Sequence, residues 1–215
     1  MDPTTLKQIK NLSININKPL LIFDADEVLV LFARHFSQFL NKLGWRLNLK
    51  GYRLDDAIEN IQDGHIADKK TYQNLIDDFI NKETANQPEA NGASATLKKF
   101  NAEAEIVILT NVPNRVYSQR IKNLADLNMS YPTISNSGLK GPALVEITKL
   151  TKKTCVFVDD NPFQIASAFE HTPNIYRFHF TACKIVKKTM PYVEEATHRP
   201  KSWSEIDLLL TQLLN

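Results

Sequence analysis

Cysteine is scarce in this sequence: Cys155 and Cys183 are the only two, and neither belongs to a CxxC pair or to a Cys/His cluster at zinc spacing. That excludes a disulfide framework and a structural zinc site, and it leaves both thiols as small buried apolar residues. A surplus of charge of one sign is also missing. Lys and Arg number 26 against 24 Asp and Glu, and a net charge of +2 is too weak a bulk field to mark a dedicated nucleic-acid binder. No nucleic-acid partner is expected, and any anionic ligand must be held by local chemistry. No window approaches the ~18 apolar residues of a membrane span. Met1 to Lys18 is polar and interrupted by charges, so the expectation is a cytoplasmic protein without membrane contact. Repeats and low-complexity tracts are absent as well.

What remains is an ordinary globular composition, 43% apolar and 23% charged, over 215 residues. That length exceeds what one core of ~150 residues needs and falls short of two full domains, which predicts one core plus an insertion. Four short apolar runs read as buried strands: Pro19 to Asp24, Glu105 to Thr110, Thr154 to Asp159 and Asn174 to Phe180. Helical periodicity or helix-start signals lie between them, so the fold class is α/β, a doubly wound, Rossmann-like parallel sheet. Phe32, Phe36, Phe39, Leu40 and Leu43 form one helical stripe that Gly44 ends, and Tyr72, Leu75, Ile76, Phe79 and Ile80 form another. Asn48 to Lys70 reads as loop with short helix, Ala95 to Phe100 as helix, and Ser202 onward as a helix packed back on the core. The stretch from Asp24 to Thr110 is several times longer than an ordinary crossover. It predicts a mostly helical subdomain over 31–95, inserted in a core made of 1–30 and 96–215.

In an open parallel sheet, ligands bind beyond the carboxyl ends of the strands. The first run ends in Asp24 and Asp26, the second in Thr110 and Asn111, and the third in Asp159, Asp160 and Asn161. Lys140 precedes the third in a GLKGPAL segment that enters a helix at Pro142. Singly, an Asp after a strand is a cap or a turn former, as Asp159 or Asn161 would be before a helix at Pro162. Together, four carboxylates at one sheet edge repel, at ~4 kcal/mol per pair 4 Å apart in an effective dielectric of 20. Oxygen-only ligands point to a hard divalent cation, and magnesium typically keeps phosphate oxygens in its other positions. Lys140, the Thr110 hydroxyl and the backbone around Asn111 then suit the remaining phosphoryl oxygens.

From Leu20 to Phe169 these residues resemble, in order, the four motifs of the haloacid dehalogenase superfamily of phosphohydrolases. LLIFDADEV is similar to its first motif, IVILTN to its second, Lys140 to its third and VFVDD to its fourth. The resemblance implies that Asp24 is the nucleophile that forms an aspartyl-phosphate, and that Asp26 is the acid and then the base. It implies phosphate binding by Thr110, Asn111 and Lys140, and Mg2+ held by Asp24, Asp26 (through its backbone carbonyl), Asp159 and Asp160. Side chains of Asn111 and Asn161 suit turn and capping roles better than direct contacts. The implied activity is hydrolysis of a small phosphorylated metabolite, under a helical cap inserted after the first motif.

Two departures stand out. Glu27 occupies a position where the family often has Gly, and reads as a solvated or cap-facing side chain. Lys149 competes with Lys140 for the third role, although its context near a helix end favours Lys140. Cap candidates for substrate contact are Arg34, His35, Tyr52, Arg53, His65 and Tyr72, each with a better structural explanation than a substrate contact. The alternatives are a phosphotransferase or sugar-phosphate mutase on the same scaffold, and a phosphate-binding protein without turnover. A dehalogenase would lack Asp26, and a receiver domain would present its acidic pair, Thr and Lys in another order.

Overall fold

The computed structural model describes residues 1–51, 54 and 56–214. The candidate cap residues Tyr52 and Arg53 lie outside the described residues. The chain begins with α1 (Pro3–Lys10), β1 (Leu20–Phe23) and α2 (Phe32–Lys42), followed by β2 (Trp45–Leu47), β3 (Ile58–Asn60) and α3 (Lys69–Glu83). It continues through α4 (Ala93–Phe100), β4 (Glu105–Thr110), α5 (Tyr117–Asp126), β5 (Thr133–Ser135) and α6 (Gly141–Thr148). The last elements are β6 (Cys155–Asp159), α7 (Pro162–His171), β7 (Tyr176–His179), α8 (Lys184–Lys187) and α9 (Trp203–Leu214).

The four apolar runs become β1, β4, β6 and β7 of a parallel sheet ordered β5-β4-β1-β6-β7. Alternate side chains divide the core between two faces, as the period-2 geometry of a strand requires. Leu21, Phe23, Ile108 and Val158 pack with α4, α5 and α9, while Leu20, Ile22, Val107 and Phe157 pack with α1, α6 and α7. With helices on both faces, the expected α/β doubly wound architecture is the observed one. β1 is central: the chain runs from it to β4 and β5 on one side and then crosses to β6 and β7 on the other, which makes its carboxyl end the topological switch point.

Residues 32–83 carry their own apolar cluster, in which Phe36 and Leu40 of α2 meet Phe79 of α3 and Ile58 of β3. The two helical stripes are therefore used as their periodicity predicts except at Leu43, which follows the end of α2 and is exposed. The segment Asn48 to Lys70, read as loop with short helix, differs in holding β3, which pairs antiparallel with β2 just before it, Trp45 opposite Asn60, so 32–83 holds a β-ribbon beside its helices. Three-residue strands without an apolar run leave too little alternation to detect. β5, also three residues, and α1 escaped for similar reasons, although Asp2 and Pro3 do form a capped helix start. α5 shows no apolar stripe because two of the side chains it buries are Arg120 and Asn123.

Candidate active site

Asp24 follows β1 directly, and its backbone amide donates to the carbonyl of Val158 at 2.9 Å, which continues the sheet by one residue. The register that sets Phe23 against Ile108 and Val158 brings the ends of three strands level. Asp24, Asp159 and Asp160 consequently each offer a carboxylate oxygen within 4.8 Å of the others, and all three are buried.

Lys140 stands between them. It is the residue before α6, its side chain is 2% exposed, and its Nζ lies 2.7 Å from Asp24 Oδ1 and 2.6 Å from Asp159 Oδ2. Only the Asp159 contact has the geometry of a directed hydrogen bond; the Asp24 contact is an ion pair. Burial alone lowers the pKa of Lys140, but the two carboxylates outweigh it and hold the ammonium charged, with a pKa above its ordinary value. The loop is fixed from behind: the Lys140 amide donates to Gln164 Oε1 at 2.7 Å, and Gln164 Nε2 donates to the carbonyl of Gly138 at 3.2 Å. Lys149 is exposed and pairs with Glu146 at 2.6 Å, so Lys140 is the lysine at this site.

Burial raises the pKa of Asp159, against the pull of Lys140. Its Oδ1 accepts the amide of Asn161 at 2.8 Å, and Asn161 Oδ1 caps α7 by accepting the amide of Phe163 at 2.9 Å. His179 Nε2 lies 2.9 Å from the backbone carbonyl of Asp160 and braces the loop below the carboxylates. Asn111 spends its side chain on loop geometry, donating to the carbonyl of Gly138 at 2.8 Å and accepting from Asn136 at 2.9 Å. Thr110 is wholly buried, and among the described residues its hydroxyl has no hydrogen-bond partner.

Asp26 lines the same cavity as Asp24, but its side chain is outside the carboxylate cluster. Its Oδ1 accepts from Arg120 Nη2 at 2.6 Å. Burial pushes its pKa up, and the Arg120 guanidinium opposes that rise. Arg120 had no sequence signal, since a lone Arg on a helix ordinarily faces solvent. Glu27, expected to be solvated or cap-facing, is not solvated. It is buried, and its carboxylate accepts the amide of Ala33 at the start of α2, where Leu31 supplies no side-chain cap.

The cavity measures about 310 Å³. Asp24, Asp26, Lys140, Asp159 and Asp160 line it together with Phe32, Leu49, Leu54 and Val186. Of the expected cap contacts, His35 is paired with Glu83 at 2.8 Å and packed on Phe79, and His65 is paired with Asp63. Arg34 is exposed, and Tyr72 packs at the edge of the apolar cluster of 32–83.

The donor set fits a hard divalent cation. Among the described residues, all three candidate ligands are carboxylates, and the one ammonium between them leaves negative charge in excess.

No protein-family model and no curated protein matches the sequence. Solved structures do. A haloacid dehalogenase family hydrolase from Deinococcus radiodurans R1, solved with bound phosphate and sodium, is 15% identical with a TM-score of 0.60, over 93% of this chain and 98% of that one. A protein provisionally named a phosphatase, from Clostridium difficile, is 14% identical with a TM-score of 0.59, over 91% and 100%. One provisionally named a β-phosphoglucomutase, from Thermotoga maritima, is 15% identical with a TM-score of 0.55, over 91% and 99%. The chain has the fold of the haloacid dehalogenase superfamily hydrolases across nearly its whole length.

Proposed function

We infer that the protein is a phosphohydrolase that removes phosphate from a small phosphomonoester. The observation that carries this reading is the contact of Lys140 with Asp24 and Asp159, beside Asp160, at the carboxyl end of the central strand. Phosphate bound to the Deinococcus radiodurans hydrolase of the same fold supports it.

Asp24 is the group that attacks phosphorus, and the bond to the ester oxygen breaks as Asp26 gives that oxygen a proton. Water then attacks the phosphorus of the aspartyl-phosphate while Asp26 takes up its proton, and phosphate leaves. Lys140 offsets charge gathering on Asp24 and the phosphoryl oxygens, and the unpartnered Thr110 hydroxyl is available to donate to one of them. Asp24, Asp159 and Asp160 would hold Mg2+, which when bound would supply Lewis-acid polarisation of the phosphoryl group and relieve carboxylate repulsion. The insertion, 31–95, acts as a cap over the core formed by 1–30 and 96–215, and Phe32, Leu49 and Leu54 contribute walls against which the organic group of the ester packs.

The test is phosphate release from a panel of phosphomonoesters. Native protein with Mg2+ is expected to turn over, while Asp24→Asn and EDTA-treated native protein lose at least ~1,000-fold. Full activity in either overturns the mechanism. The neighbour named a β-phosphoglucomutase supports a second reading, phosphoryl transfer to another hydroxyl, and a phosphorylated acceptor forming in place of free phosphate would select it.

A further inference from the structure

Arg120 lies 94 residues from Asp26 in sequence, and its side chain is 1% exposed. Its Nη2 donates to Asp26 Oδ1 at 2.6 Å and to Gln87 Oε1 at 2.8 Å, and its Nη1 donates to Asn123 Oδ1 at 3.0 Å. Asn123 Nδ2 donates in turn to the backbone carbonyl of Gln87 at 2.8 Å. Gln87 lies between α3 and α4, on the segment that returns the chain from the insertion to the sheet.

Taking a guanidinium wholly out of water carries a penalty of several kcal/mol. A carboxylate whose own side chain is 32% exposed offsets only part of it. An apolar side chain of similar volume serves packing better. The charge is kept where it grips Asp26, a residue that lines the cavity.

We propose that Arg120 is a positioning residue that holds the Asp26 carboxyl where its proton reaches the departing ester oxygen, and that Gln87 and Asn123 key this geometry to the return segment of the insertion. The inference rests on the phosphohydrolase reading. In the step concerned, an Asp24 oxygen bonds to phosphorus, and the electron pair of the breaking bond goes to the ester oxygen. The Asp26 proton moves onto that oxygen, which leaves Asp26 as the carboxylate that Arg120 pairs with.

The experiment compares kcat/KM, which reports departure of the leaving group, on two esters. 4-Nitrophenyl phosphate has a leaving group that departs without a proton, and ethyl phosphate has one that does not. Arg120→Met is expected to lose about 100-fold on ethyl phosphate and only about threefold on 4-nitrophenyl phosphate. Arg120→Lys restores a charge without the planar fork and recovers part of the selective loss. A purely structural role lowers both rates alike, so equal losses, or no loss on either ester, overturn the proposal. If Arg120→Met has no cooperative melt, Gln87→Met carries the same comparison, with about a tenfold selective loss expected. Native protein silent toward a whole panel of phosphomonoesters overturns the phosphohydrolase reading and this inference with it; active native protein with unselective variants overturns this inference alone.

Discussion

Glu27 illustrates how much one side chain carries. Its φ of 62° lies in the left-handed region, which costs a non-glycine residue about 1–2 kcal/mol and accounts for the frequent Gly at this position in proteins with a similar motif. Two bonds offset the strain: the Glu27 carboxylate takes the Ala33 amide at the positive end of the α2 dipole, and the Glu27 carbonyl accepts the amide of Ala182 at 2.7 Å. Burial raises the carboxyl from an ordinary 4.5 to about 8, with the Ala33 amide opposing. A pKa raised in the folded state means that folding takes up a proton between those values. This contribution to stability is complete below about pH 4.5 and lost as pH rises through about 8. Glu27→Gln keeps the acceptor and removes the titration. Between pH 4.5 and 8.5, melting followed by circular dichroism in metal-free buffer is expected to show native protein falling relative to this variant by on the order of 10 °C. Parallel melting curves would show that the carboxyl does not take up a proton on folding.

At the scale of elements, the pair α6 and α7 decides where Lys140 sits. Gly141 opens α6 against α7, and a Cβ there would lie 2.5 Å from the backbone carbonyl oxygen of Ser167 and 2.5 Å from His171 Nδ1. Backbone cannot give way cheaply, so Gly141→Ala must push the start of α6 outward and Lys140 with it. The expected loss is about 1–3 kcal/mol in urea denaturation. A fall in phosphate release of at least ~10-fold follows, from about 1 Å of misplacement at the ammonium. Retained stability with retained rate would mean that the helix pair has more room than its packing indicates. Both helix starts were legible from Pro142 and Pro162, because proline is tolerated in the first turn and caps act locally. The absence of a side chain at Gly141 acquires meaning only from a helix that begins 21 residues later, at Pro162.

At the scale of the whole molecule, the sheet is a device for forcing three carboxylates together against their repulsion. A cation that binds the folded state and not the unfolded chain must therefore stabilise it. At about a hundredfold excess over its Kd, Mg2+ is expected to contribute ~2.7 kcal/mol, a rise of about 5–10 °C in Tm for a chain of this size. Asp160→Asn removes one ligand and is expected to abolish most of the rise, in a thermal shift that needs no turnover. An equal rise in both proteins would separate the stabilising ion from this cluster.

The strands β1, β4, β6 and β7, the helices starting at Pro142 and Pro162, and the acidic and Lys residues at the strand ends were all readable from the chain. Each rests on neighbours close in sequence: an apolar run, a stripe at three- and four-residue steps, a cap. Parallel pairing then leaves little freedom, because a strand buried on both faces ends where its apolar run ends. The β2–β3 ribbon, the buried carboxyl of Glu27 and above all Arg120 belong to the tertiary structure. Asp26 and Arg120 meet only after β4 and α5 have packed, and a charged side chain on a polar helix carries no mark of burial until another part of the chain covers it. Local chemistry determined which residues stand at the strand ends, and long-range packing decided which partner holds each of them.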